Sequence, residues 1–186
     1  MSIRKISVII LLLCFFNLQS FAEIKTEKKF KMWESQYMNK DGKKVCFAVS
    51  IPTNMSPKNL SRAESRIFVS FRPSESINNE ISITGGYKYK KKSQVRVNVG
   101  NSNFKLEIKD NFAWLVSYDD EIRMIRAMKK SNKAKVIGIS SRGNKTIDTY
   151  SLMGFTDAYN AARKNCISLL RWIGYFRHIK MASGKI

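Results

Sequence analysis

Histidine is almost missing from this chain. The single one, His178, stands near the C-terminal end, far from any recognisable motif. One histidine cannot supply a Ser-His-Asp or Cys-His catalytic device together with its supporting residues, and it leaves no His/Cys set for zinc. Cysteine is scarce too. Cys14, Cys46 and Cys166 contain no Cys-x-x-Cys pair, so thioredoxin-like redox chemistry has no sequence signal. There is no internal repeat, and no run reaches the roughly 20 apolar residues that span a bilayer. The segment Gly143-Asn144-Lys145-Thr146 resembles the end of a phosphate loop. It lacks the first glycine and the strand-then-helix setting, and reads as a turn. Acids are few: 14 Asp+Glu stand against 34 Lys+Arg. A serine–lysine dyad is the catalytic device this composition leaves open, though nothing in the spacing points to one.

What is present begins with the N-terminus. Arg4 and Lys5 precede an apolar run from Ile6 to Phe16, and Ser20-Phe21-Ala22 is a small-x-small site before Glu23. That is the pattern of a secretory signal over residues 1–22. Cys14 follows Leu13, where a lipid-attachment site wants a small side chain, and this counts against a lipoprotein. Removing residues 1–22 takes away two cations and no acid, leaving 32 Lys+Arg against 14 Asp+Glu. An excess of that size implies polyanionic neighbours. The plain alternative is a solvated, lysine-rich surface in an organism of biased composition. Export leaves two cysteines, Cys46 and Cys166. An even pair in an oxidising compartment reads as a disulfide, with two thiols or one redox-active thiol as the alternatives.

The mature chain of 186 − 22 residues holds enough apolar residues (44% of the whole) for a core. Residues 23–30 read as a frayed, lysine-rich lead-in. A first strand starts around Phe30, Met32 and Trp33, and Asn39-Lys40-Asp41-Gly42 is a turn. In the next strand Val45, Phe47, Val49 and Ile51 point one way, and Cys46, Ala48 and Ser50 the other. The second face is made of small residues and allows another element to approach closely. Residues 52–65 read as a loop. Strands follow at 67–71, 80–84, 95–99, 104–108 and 112–116, the pair 95–99 and 104–108 forming the clearest hairpin. Residues 119–130 have helical spacing, with acids first and Lys129-Lys130 last. Strands return at 135–141 and 146–152. Beyond Gly154 the period becomes helical, and Phe155, Ala158, Tyr159, Ala162 and Cys166 share one face.

The expected fold is mainly β: an antiparallel sandwich or barrel-like domain of about nine short strands. Its two helices lie near 119–130 and near 155–166, the second with room to continue into the tail. The segments are a signal peptide (1–22), the β domain (23–166) and a basic amphipathic extension (167–186).

Several pieces resemble one family. They are Lys44-Val45-Cys46-Phe47-Ala48-Val49-Ser50-Ile51-Pro52, Phe71-Arg72-Pro73, Asn79-Glu80-Ile81-Ser82-Ile83, Ala113-Trp114 and Ser140-Ser141-Arg142-Gly143. The most specific piece is Asp148-Thr149-Tyr150-Ser151-Leu152-Met153-Gly154-Phe155, and Cys166 closes the series. In this order they are similar to the invasion-associated locus B family of Gram-negative envelope proteins, over roughly residues 30–166. The resemblance implies a small exported β-rich domain with no agreed catalytic residues or cofactor. It implies a link to host-cell invasion in pathogens, although relatives also occur in bacteria with no known host. Two departures stand out. The cysteine that many members carry soon after the early tryptophan is missing from Trp33-Glu34-Ser35-Gln36, and the chain continues well past Cys166. Within the most specific piece, Tyr150, Leu152 and Phe155 are expected in the core. Gly154 is expected where strand gives way to helix.

Two stretches are candidate contacts for an anionic ligand. Lys88, Lys90, Lys91 and Lys92, with Tyr87 and Tyr89, form a basic-aromatic strip. In the tail, Arg171, Arg177 and Lys180 flank an apolar stripe of Leu169, Leu170, Ile173 and Phe176, as on a helix lying on a membrane surface. The plain readings are a solvated loop and a stripe packed on the domain's own sheet. Export argues against nucleic acid. The expected partners are therefore anionic lipid, lipopolysaccharide or acidic glycan, or an envelope or host-surface protein. The expected function is that of an exported, non-enzymatic protein of the periplasm or outer membrane, or a secreted one. The alternative is a periplasmic enzyme such as a Ser/Lys hydrolase. No cofactor or metal is expected.

Overall fold

A computed structural model describes residues 23–167. Eleven strands form one antiparallel sheet in the order β1-β2-β3-β5-β6-β9-β8-β7-β10-β11-β4. They are β1 Ile24–Phe30, β2 Trp33–Lys40, β3 Lys43–Ser50, β4 Asn54–Ser56, β5 Arg66–Arg72, β6 Ile77–Thr84, β7 Val95–Val99, β8 Ser102–Lys109, β9 Phe112–Trp114, β10 Lys133–Ile139 and β11 Lys145–Ser151. Helix α1 is Tyr118–Lys130, and α2 covers residues 155–167. The mainly-β, barrel-like expectation and both helices hold. The strand number is higher than the expected nine, for a physical reason. β1 and β4 are edge strands with almost wholly exposed side chains, so they carry no hydrophobic alternation to read. Residues 24–30, expected as a frayed lead-in, are held by backbone pairing to β2, with a register shift between Thr26 and Lys28. Lysines and irregular register are how natural edges avoid further pairing.

The alternation seen in β3 sets the layout. Its small face, with Cys46 and Ala48 wholly buried, turns to the core, and Val45, Phe47 and Val49 face outward. The core is completed by Ile67, Val69 and Phe71 of β5, Ile81 and Ile83 of β6, the valines of β7 and Phe104 and Leu106 of β8. Helix α2 lies against the small face, with Phe155, Ala158, Tyr159, Ala162 and Cys166 all buried, and Cys166 is disulfide-bonded to Cys46. The turn between β2 and β3 has Asp41 and Gly42 both at positive φ, the twist-matched geometry that favours Asp-Gly.

The stretch Asp148–Phe155 draws the two ends of the sheet together. Trp33 Nε1 donates to the Ser151 carbonyl at 2.9 Å, Met32 N to the Met153 carbonyl, and the Trp33 ring meets Phe155 edge-on at 4.8 Å. Tyr150, Leu152 and Phe155 are buried, as expected. Gly154 sits at φ +91°, and a Cβ there would come within 1.8 Å of the Phe30 carbonyl oxygen. Both backbone strain and contact oppose a side chain. Gly154→Ala is expected to lower stability by at least about 1–3 kcal/mol, the range for forced left-handed backbone. Urea unfolding of the two proteins measures this.

Helix α1 has acids in its first turn and Lys129-Lys130 in its last, as expected, and one of those acids is enclosed. Glu121 is buried rather than solvated at the helix start, and its Oε1 accepts from the Ile81 N–H at 3.3 Å. Burial, with Glu80 nearby, pushes its carboxyl up to about 7. A folded-state value above the ordinary carboxylate range means that the charged form opposes folding. The penalty is absent at pH 4 and fully present above pH 7. Glu121→Gln is therefore expected to raise stability at pH 8 by roughly 1–3 kcal/mol and to change little at pH 4, read from urea midpoints at both values.

Candidate functional site

The segment holding the predicted lysines takes the place of β7 beside β10. Tyr89 bridges antiparallel to Ser140, Lys90 N donates to the Ile139 carbonyl at 2.9 Å, and Ser141 N donates to the Lys88 carbonyl at 2.7 Å. Strand alternation then turns Tyr89 inward and Lys88 and Lys90 outward. Tyr89 is 2% exposed and packs edge-on against Tyr87 at 5.1 Å. The Tyr87 hydroxyl bonds Thr146 Oγ1, and burial pushes both phenols above their usual range. This corrects the basic-aromatic strip. The lysines are exposed, but the tyrosines belong to the interior and offer no stacking surface. Lys91 and Lys92 rim a shallow depression of about 450 Å³ with Glu107 and Asp110.

Pairing extends this patch across four strands. Val95, Val97 and Val99 of β7 are buried, so Arg96 and Asn98 face out. On the same grounds Lys105 and Glu107 of β8, Lys133 and Lys135 of β10 and Lys145 and Ile147 of β11 face out. Register places Arg96 opposite Lys105, Ile137 opposite Arg96, Lys135 opposite Asn98 and Lys145 opposite Ile139, beside Lys90. Like charges set directly across a ladder destabilise a sheet. Among the described residues, the ion pairs use Lys25, Lys29, Arg62, Arg66, Arg72 and Arg123, and none uses a cation of this face. The result is an outward, cationic sheet face with Glu107 as its acid. Sequence reasoning found Lys88 and Lys90 because they are consecutive with other lysines. It missed the other five as a group, since only the strand order brings residues 96, 105, 133, 135 and 145 side by side. Arg171, Arg177 and Lys180 lie outside the described residues.

The most enclosed polar cluster lies elsewhere. Asp148, 1% exposed, takes Arg62 on both carboxylate oxygens at 2.8 and 2.5 Å and Ser65 Oγ at 2.8 Å. Ser65 in turn meets the Tyr150 hydroxyl at 2.8 Å. Asp148 holds the Arg62 guanidinium above its ordinary range. Ser65 is wholly buried, and its hydroxyl partners are a carboxylate, a phenol and the Thr84 carbonyl rather than a lysine, so the cluster fastens the 57–65 segment to β11. Among the described residues no three His, Cys, Asp or Glu are grouped to hold a metal ion. No helix among them is long and apolar enough to cross a membrane, which says nothing of strands.

Comparison with curated proteins and with solved structures gave no match. A family model does match. It spans residues 33–163, from the tryptophan that opens β2 into α2 but short of Cys166, and takes in the β3 segment, the β10–β11 hairpin and the Asp148–Phe155 stretch. That span covers well over half of the chain, and the protein belongs to the Invasion associated locus B (IalB) family.

Proposed function

We propose that this is an exported, non-enzymatic protein of the cell envelope that binds a polyanionic surface through the outer face of β8, β7, β10 and β11. The observation that carries the reading is the arrangement of Lys88, Lys90, Arg96, Lys105, Lys133, Lys135 and Lys145 on one side of one sheet, without ion-pair partners among the described residues. A cationic face spread over four strands fits an extended array of anions: lipopolysaccharide phosphates, anionic lipid headgroups or an acidic glycan. The pattern of residues 1–22 supports export, and family membership supports an envelope setting. Arg171, Arg177 and Lys180 add cations to the same reading.

Each lysine or arginine near an anionic membrane surface contributes about 1 kcal/mol. The quadruple variant Lys90→Gln, Lys105→Gln, Lys135→Gln, Lys145→Gln is expected to bind phosphatidylglycerol vesicles or lipopolysaccharide roughly 100- to 1,000-fold more weakly. Binding by the parent chain is expected to fall steeply between low and physiological salt, because exposed charges are screened within about 8–10 Å there. Vesicle co-sedimentation across a salt series gives both results. Binding that ignores salt, or equal binding to neutral phosphatidylcholine vesicles, contradicts the proposal.

A further inference from the structure

Outward side chains of β3, β5, β6 and β9 make a second surface, and its chemistry differs from that of the cationic face. Phe47, Phe68, Phe112 and Trp114 form an aromatic row with ring centroids 5.8, 6.4 and 5.5 Å apart. The row crosses β6 at Ser82, which register sets opposite both Phe68 and Trp114, so a small side chain leaves the large rings room to meet. Phe112 and Trp114 incline by 33° to each other and come nearest to a common platform. Two depressions of about 600 and 800 Å³ adjoin there and share Arg72, Glu80, Phe112 and Trp114. Each has the volume of a small-molecule site.

The polar groups here have capacity to spare. β9 pairs with β6 only over Ser82–Thr84, and the next amide, Ile81 N–H, goes to Glu121 Oε1. Glu121 is 8% exposed and lines the larger depression, and its Oε2 has no hydrogen-bond partner among the described residues. With its carboxyl pushed up to about 7 by burial, it both donates and accepts near neutral pH. Arg72 uses three of its five N–H donors, Nε on Glu75 and two on Glu80, and keeps two for a ligand. Charge is balanced as nowhere else on this basic chain. Five of its 14 acids line the two depressions, Asp41, Glu75, Glu80, Asp110 and Glu121, against four cations, Lys40, Lys43, Arg72 and Lys109. None of these cations belongs to the cationic face. A polyanion would meet the acids, and a cation would meet Arg72. A lipid chain would strip water from Arg72, Glu80 and Glu121 and return no hydrogen bond. A neutral ligand with apolar faces and a hydroxyl rim suits every one of these groups. A pyranose ring with all substituents equatorial has that form, CH groups on both faces and hydroxyls around the edge. We propose that this trough binds a neutral oligosaccharide of such rings, a glucose or N-acetylglucosamine polymer, with Phe112 and Trp114 stacking on a ring face and Arg72, Glu80 and Glu121 holding its hydroxyls. The proposal does not rest on the cationic face.

The test is calorimetric titration of the mature full-length chain with cellotetraose, maltotetraose and chitotetraose. At least one of the three is expected to half-saturate the protein at about 1 mM or below. Its affinity is expected to hold as salt rises, because no net charge is neutralised. Trp114→Ala is expected to weaken binding roughly 10-fold or more, as loss of an aromatic anchor does. Arg72→Gln removes only part-exposed ion pairs, so it is expected to weaken binding several-fold with the urea midpoint nearly unchanged. The quadruple glutamine variant of the cationic face is expected to bind the sugar as the parent does, which separates this proposal from the anion-binding one. Four outcomes overturn it: no saturable heat from any of the three sugars; binding that survives both Trp114→Ala and Arg72→Gln; binding lost in the quadruple variant, which places the sugar on the cationic face; and, in place of sugar binding, either self-association or retention on phosphatidylcholine vesicles that Trp114→Ala abolishes, which assigns the trough to a second copy or to lipid.

Discussion

Asp148→Ala is expected to lower the unfolding free energy by about 3–5 kcal/mol, the cost of breaking a buried ion pair from one side. The loss comes mainly from what remains. The Arg62 side chain is 5% exposed, and without the carboxylate its guanidinium keeps one hydrogen bond, to the Gly85 carbonyl at 3.0 Å, and the face of Tyr87. Ser65, which Tyr150 contacts in turn, loses an acceptor as well. Removing both charges is expected to cost less than removing one, because no buried charge is then stranded. The comparison is Asp148→Leu with Arg62→Met against each single change, read by urea unfolding. A single variant within about 1 kcal/mol of the parent, the ordinary range for an exposed pair, contradicts this account of Asp148.

Reduction, or Cys46→Ala with Cys166→Ala, carries an effect of similar size. The bond joins residues 120 positions apart, so it confines most of the described chain. The loop-entropy estimate gives about 4–5 kcal/mol for a loop of that length. For a domain of this size that corresponds to a fall in thermal midpoint of roughly 10–20 °C. Both sulfurs lie in the core beside Ala48 and Phe71, and alanine fills most of their space, so the loss is expected to show in stability rather than in fold. Thermal unfolding with and without reductant measures it. Equal midpoints would mean that the packing of α2 on β3 suffices alone.

The two prediction sites differ in how legible they were. Cys166 was placed by helical spacing and Cys46 by the small face of its strand, both local signals. Gly154 and the aromatics around it were equally readable, because a change of period from strand to helix marks the position. Asp148 was visible within the family's most specific piece, but its partner was not. Arg62 stands in a segment with no periodicity, 86 residues away, and only the folded sheet brings the two together. The same limit hid the cationic face. Each of β7, β8, β10 and β11 shows one or two outward cations in an ordinary alternation. The order β8-β7-β10-β11 sums them, and strand order is a property of the whole chain. Tyr87 and Tyr89 misled in the opposite way. They look like an exposed strip beside the lysines, yet a bridge to Ser140 and the pleat turn them inside.

Placement rather than total charge is the central claim, and one comparison isolates it. Two quadruple variants of equal net charge are needed. One carries glutamine at Lys90, Lys105, Lys135 and Lys145 on the cationic face. The other carries it at Lys28, Lys31, Lys40 and Lys43, which are exposed, unpaired among the described residues and on the opposite side of the strand order. Binding of each to phosphatidylglycerol vesicles at physiological salt is measured beside the parent. The face variant is expected to lose roughly 100-fold or more in affinity, at about 1 kcal/mol per cation, while the control stays within a few-fold of the parent. Equal losses in the two variants would contradict the account and reduce the excess of lysine to a non-specific property of the whole surface.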